Sequence, residues 1–284
     1  MDDQRMQTFP SYPTVADAPA ELFESGHLWL HELVDGAPFR FHPLDDGRLR
    51  FGDEVRTFGD SPPEYDHVVR YLRENFDREA LRAAVDDVES VVFLGRAMHR
   101  RGVDYDWAST PNFLGVDVWS ATADAYLRPD RVEKIYRRLG LTPVNVVRAE
   151  LRAADFAPER YTFPPSEWYD GPAAGVLLRN KTGHRARLDN PDVGSETNGR
   201  DSDRVDSGET FARDQATSAR LETVANRLQA DDRPVTFDTL YERAVETIVR
   251  AHHDRLFDGR DDVDMRAFRS AVAEQVQSYL AGRE

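Results

Sequence analysis

The alternation of apolar and polar positions is densest between residues 27 and 56. "HLWLHELVDG" and "APFRF" read as strands on either side of an Asp-Gly turn, "PLDDGRLRF" repeats the hairpin signal, and "EVRTFGD" follows. In "PPEYDHVVRYLRENF" the period lengthens: a proline start and apolar Val68, Val69, Leu72 and Phe76 predict an amphipathic helix, which "REALRAAVDDV" extends. "SVVFLGRAM" and "NFLGVDVWS" are short apolar runs of the buried-strand type. The stretch between them, "HRRGVDYDWASTP", reads as a solvated loop, with RNA contact as the rarer alternative. "PDRVEKIYRRLGL" predicts a helix stopped at Gly140, "VNVVRAELR" a strand, and "AAGVLLRN" with "HRARLD" a last strand pair turned by "NKTG".

Apolar content then collapses. Residues 189–217 are rich in Asp, Ser, Gly and Asn and predict an acidic flexible linker. Beyond it, "ARLETVANRLQ", "TFDTLYERAVETIVRAHHDRLF" and "DMRAFRSAVAEQVQSYLAG" carry helical periodicity, so the C-terminal unit is expected to be all-α. The expected organisation is an extension at 1–26, an α+β domain at 27–188, the linker, and a helical domain at 218–284.

Charge narrows the function classes. A net charge of −15 argues against a general DNA-coating protein, so a polyanion would need a local basic patch. The 37 basic residues include only two lysines, Lys134 and Lys181, and acidic pairs recur, a composition that fits an extreme halophile. There is no cysteine, which excludes disulfides, a thiolate nucleophile and Cys-ligated zinc. His252, His253 and Asp254 are adjacent on a predicted helix and diverge by about 100° each, so no metal site is expected there. The opening "MDDQRMQTFP" lacks a basic and an apolar leader segment, and no run approaches a membrane span, so a cytoplasmic location without membrane partners is expected.

The ordered elements from Trp29 to Leu188 carry five short motifs that resemble those of the ATP-dependent RNA ligase domain, part of the covalent nucleotidyltransferase superfamily of ligases and mRNA capping enzymes. The resemblance implies an ATP-grasp-like adenylation fold of antiparallel sheets around a cleft. It also implies a K-x-D-G lysine that attacks the α-phosphate of ATP, and here those four positions are Leu33, Val34, Asp35 and Gly36. The ribose-binding glutamate is matched by Arg96 in "FLGRAM", and the adenine-stacking aromatic by Val116, before Asp117, in "FLGVDVW". The metal-linked glutamate is matched by Ala174, before Gly175, in "AAGVLLR", and the closing K-x-K lysines by Arg185 and Arg187. Glu32 matches an adenine contact or is a strand-edge charge. Asp35 and Gly36 fit a turn needing positive φ, and Asp117 fits a metal-shell carboxylate or, preferentially, a structural group.

Lys→Arg at the closing motif keeps charge, but Lys→Leu abolishes the covalent intermediate and Glu→Ala removes transition-state stabilisation. Trp29, His31, Leu33 and Asp35 would share one strand face, so His31, or Lys181 in its turn, could substitute as nucleophile, but a partly buried histidine beside a hydrophobic patch and a solvated turn lysine are the preferred readings. Arg40, Arg50, Arg56, Arg96, Arg179, Arg185 and Arg187 would form a phosphate or RNA cluster if they converge, and are dispersed surface charges otherwise. The expected function is an RNA-ligase-like pseudoenzyme whose cleft binds nucleotide, RNA ends or a partner protein, with ATP and Mg²⁺ as cofactors only if nucleotide binding survives. An active ligase with an atypical nucleophile and an interaction protein with a vestigial cleft are the alternatives.

Overall fold

A computed structural model describes residues 6–193, 207–257 and 263–282. Two compact units emerge, and both sheets lie in the first. One sheet has the order β7-β1-β8-β9, formed by β1 (His27–Glu32), β7 (Val146–Arg152), β8 (Gly175–Arg179) and β9 (Arg185–Asp189). The other has the order β3-β2-β4-β5-β6, formed by β2 (Ala37–Pro43), β3 (Leu49–Gly52), β4 (Val91–Ala97), β5 (Phe113–Ser120) and β6 (Ala125–Tyr126). All the strand pairs are antiparallel, as expected of an α+β domain built on antiparallel sheets.

Strand alternation gives each sheet one oily face. In the larger sheet Phe39, Phe41, Phe93 and Val118 bury against α2 (Asp66–Asn75), α3 (Arg78–Arg82) and α4 (Pro129–Arg138), through Val68, Val69, Leu72, Leu81, Val132 and Tyr136. Gly140, at φ +76°, follows α4 as the predicted glycine stop. In the smaller sheet Leu28, Leu30, Val176, Leu178 and Ala186 pack on Leu22, from α1 (Glu21–Glu24), with Ala153 and Phe156. The opposite faces hold the polar residues described below.

The expected Asp35-Gly36 hairpin turn is corrected. β1 and β2 belong to different sheets, so "LVDG" is the crossing between them, and Gly36 does not take positive φ. Glycine is required there by room: a Cβ would lie 2.8 Å from Met98 Sδ and 2.9 Å from Ala97 O. The second Asp-Gly signal does mark a hairpin, β2–β3, with Gly47 at φ +83°.

The second unit holds helices α5 (Gly208–Gln215), α6 (Ser218–Ala230), α7 (Phe237–Ala251), α8 (His253–Phe257) and α9 (Met265–Ala281). Their shared core includes Phe211, Leu221, Leu240, Ile248, Phe268 and Val276. The stretch expected to be a linker is structured at both described ends: Asp189 closes β9, and α5 starts at Gly208, capped by Ser207. Phe211 and Ala212 supply the apolar face that the polar composition conceals. Residues 194–206 of that stretch lie outside the described residues. No helix among the described residues is long and apolar enough to cross a membrane.

Candidate functional site

Register places the polar groups of the smaller sheet together. Trp29 pairs with Arg179, which pairs with Arg185; His31 pairs with Leu177, which pairs with Arg187. Paired residues share a face, so this row opposes the Leu28–Leu30 core side. In the larger sheet the same logic aligns Arg40, Leu94 and Asp117, with Val92 beside Trp119. The two polar faces meet at Asp117.

Asp117 is 1% exposed and accepts from Arg179 Nη1 at 3.1 Å, Arg185 Nη2 at 3.1 Å and the Tyr12 hydroxyl at 2.6 Å. Arg179 Nη1 also donates to Val116 O. A buried carboxylate between two guanidiniums is neutralised in place, and breaking such a set is costly because the survivors stay buried. Burial, then the Asp117 charge, push the Tyr12 phenol well above its usual range. Burial opposes the charge of Arg185, but Asp117 and Tyr12 more than offset it and raise its pKa. Asp117 therefore fastens one sheet to the other.

The second group surrounds the crossing segment. Leu33 N donates to Gly175 O at 3.0 Å, and a Cβ on Gly175 would stand 2.9 Å from Leu33 Cδ2. Leu33 is thus an aliphatic side chain lying against the glycine of the "AAG" motif. Arg96 reaches Gly36 O at 3.4 Å, and Ala174 O accepts from Asn190 N at 2.9 Å.

Asp35 does more than a turn residue: its carboxylate accepts from the amides of Gly102 at 2.8 Å and Val103 at 3.0 Å, while its own N–H donates to Tyr105 Oη at 2.7 Å. The expected solvated loop is therefore corrected over residues 102–107, which fold onto the crossing with Val103, Tyr105 and Trp107 buried. Its apolar anchors lie two apart, a spacing hidden among charges.

Glu32 is likewise corrected from strand-edge charge to buried fastener. It is 1% exposed and accepts from Ser166 Oγ at 2.5 Å and Glu167 N at 3.1 Å, with Asn145 Nδ2 at 3.5 Å. Burial raises its pKa, against the lowering effect of those three donors.

The substitute nucleophiles fare differently. His31 is 2% exposed, and burial together with the Arg179 charge holds its imidazole well below the ordinary 6.5. Lys181 Nζ sits 4.5 Å from the Trp29 ring centre and pairs with Glu150 at 3.1 Å across exposed surface.

The arginines do not form one cluster. Arg179 and Arg185 converge on Asp117, and Arg185 also lies over Tyr126 at 4.8 Å. Arg40 turns to Met6 O at 3.0 Å and Gln7 O at 2.6 Å. Arg56 pairs with Asp53 and Glu64, Arg187 with Asp189, both on the surface. Arg50, on β3, pairs in register with His42 on β2. The residues that sequence reasoning passed over are Tyr12, Tyr126, Tyr105 and Ser166, each an aromatic or hydroxyl partner from a distant segment. The one sequence signal for the first was "FPSYP", aromatic and proline-rich within an extension that otherwise reads as polar.

A sheet pair joined by a crossing strand link invites comparison. No family model matches the chain, and no curated protein matches it in sequence. Solved structures do match in three dimensions. A variant of the Naegleria gruberi RNA ligase, with ATP and manganese, superposes with a TM-score of 0.53 at 11% identity, over 66% of this chain and 57% of that one. A second variant of that enzyme gives 0.52 at 13% identity, over 69% and 59%. The chain has the RNA ligase fold. An archaeal ATP-dependent RNA ligase aligns over 97% of this chain and 74% of that one, at 15% identity and a TM-score of 0.49. The chain spans just over half the length of the Naegleria enzyme. The likeness is one of fold, at 11–13% identity over about two thirds of this chain.

Proposed function

We propose that the protein keeps the two-sheet cleft as a binding site and has lost self-adenylylation: a pseudoenzyme of the RNA ligase fold. The observation that carries this reading is Leu33, seated against Gly175 with its N–H bonded to Gly175 O at 3.0 Å. A leucine side chain has no lone pair to attack phosphorus, so no lysyl-AMP forms at that position. The residues also do not fit a Mg–ATP centre: Ala174 supplies no carboxylate, and Asp117 is already held by two arginines and a tyrosine. What the cleft retains suits binding. RNA ends or a partner protein are the ligands this reading assigns, since aromatic rings and a guanidinium share one partly buried surface.

The decisive experiment is incubation of the full chain with α-labelled ATP and Mg²⁺ at molar salt. The expected result is no covalent label on the protein. Label that survives denaturation overturns the reading, and loss of that label in His31→Gln or Lys181→Arg would locate the atypical nucleophile.

A second reading, the interaction protein with a closed cleft, is favoured by one specific observation: Arg40 and Tyr126, on the cleft face, are engaged by the chain's own residues 6–8. Binding of 5′-phosphorylated nicked RNA separates the two. Saturable binding that Arg185→Ala weakens supports the RNA-end reading, whereas no binding supports the closed cleft.

A further inference from the structure

Residues 6–14 cross the polar face of the larger sheet and end on the edge of the smaller one. They carry no helix, and no strand beyond a single bridge at Thr14. Met6 is 4% exposed and packs with Val92 and Leu94, while Phe9 reaches the same patch beside Trp119 and Tyr126. Arg40 donates to Met6 O and Gln7 O, and the Tyr126 hydroxyl to Thr8 O at 2.5 Å. Tyr12 then drops its hydroxyl onto Asp117, under the Arg185 guanidinium 5.9 Å from its ring centre. Finally Arg187 N donates to Pro13 O at 2.8 Å, and Thr14 bridges Arg187 in parallel, adding to edge strand β9.

We propose that this cleft is a binding site for an extended, tyrosine-bearing peptide, and that residues 6–14 occupy it in cis as a releasable strap. Four features point to a bound peptide rather than to an element of the core. Most polar anchors grip backbone carbonyls, which any extended chain offers, and one buried carboxylate reads a single side chain, Tyr12. Addition to a sheet edge is a common mode of peptide recognition. Pro10 and Pro13 flank the tyrosine and restrict the backbone before docking, so less entropy is lost on binding. The polar fit is also incomplete: the arginines that meet the segment's carbonyls and its Asp117 anchor, Arg40 and Arg179, each keep a buried Nε without a hydrogen-bond partner.

The consequence is a gate. A ligand that reaches Asp117 and the arginines from this side must displace the strap or resemble it. The proposal holds whether or not the protein adenylylates itself, because it concerns only what lies across the cleft.

The test is hydrogen exchange on the full chain. In Tyr12→Ala the Arg187 amide is expected to exchange roughly 10-fold faster or more, the equivalent of one hydrogen bond to a charged group, while amides of β4 and β5 keep their rates. A synthetic peptide of residues 6–14, added in trans, should restore Arg187 protection saturably, and the same peptide with Ala at the tyrosine should not. Should Tyr12→Ala fail to fold, Tyr12→Phe carries the same comparison with a smaller acceleration. An unchanged Arg187 rate, acceleration of all sheet amides together, or a peptide without effect would each show that the segment is an integral part of the fold and overturn the proposal.

Discussion

The two faces of the larger sheet come from the same strands and are built by different rules. On the helix-covered face Phe41 and Phe93 stack at 4.8 Å, with Phe76 set edge-on against both, and the side chains are apolar but for the Tyr136 hydroxyl, which bonds to the backbone carbonyls of Leu94 and Asp117. On the cleft face Arg40, Leu94 and Asp117 stand in the same register, and their partners come from residues 6–12 and from β8 and β9. The first face tolerates any residue of suitable volume and hydrophobicity. The second depends on charge balance among specific groups, so each loss there is felt by the groups that remain.

The comparison can be broken at its strongest points first. Phe93→Ala should cost about 3–5 kcal/mol in chemical denaturation, a cavity effect confined to the helix-covered face. Asp117→Asn should cost a similar ~3–5 kcal/mol, because Arg179 and Arg185 are left as buried charges without a counter-ion. The two faces then diverge under rescue: replacing Asp117, Arg179 and Arg185 together by Leu, Met and Met should recover stability to within about 1–2 kcal/mol of the parent. A triple variant as unstable as Asp117→Asn alone would show that the network stabilises the fold beyond its own neutralisation.

His31 gives a smaller effect with a defined sign. Its folded pKa lies well below 6.5, so the unfolded chain binds the proton first as pH falls. Stability is fully present above about 6.5 and is lost as pH drops below it. In His31→Gln the stability difference from the parent should change across that window, measured by denaturation at stepped pH. A constant difference would mean that His31 is not held neutral. Smallest of all is the Lys181–Glu150 pair: Glu150→Gln should shift stability by no more than ~1 kcal/mol, since both partners are substantially exposed.

What could be read from the sequence follows the same division. The strands of the larger sheet, α2 and α4 were legible because period-2 and period-3.6 apolar patterns report burial directly. "VDG" was misread because an Asp-Gly pair signals a local turn, whereas here Asp35 serves the distant amides of Gly102 and Val103 and Gly36 makes room for Met98. The first helix of the C-terminal unit hid inside an acidic stretch whose composition outweighed the spacing of Phe211 and Ala212. Of the site, the motif positions Leu33, Gly36, Arg96 and Gly175 do assemble at the crossing, but the partners of Asp117 were beyond reach. Tyr12 lies 105 residues away in sequence, and no local pattern announces such a contact.

Under the proposed pseudoenzyme reading, closure of the cleft and loss of the nucleophile are separate reasons for inactivity, and one measurement distinguishes them. Intact-mass analysis of Tyr12→Ala after incubation with ATP and Mg²⁺ at molar salt removes the first reason and leaves the second. The account predicts no adenylyl adduct even with the strap loosened, because Leu33 offers no nucleophile. An adduct of AMP on the protein would contradict it.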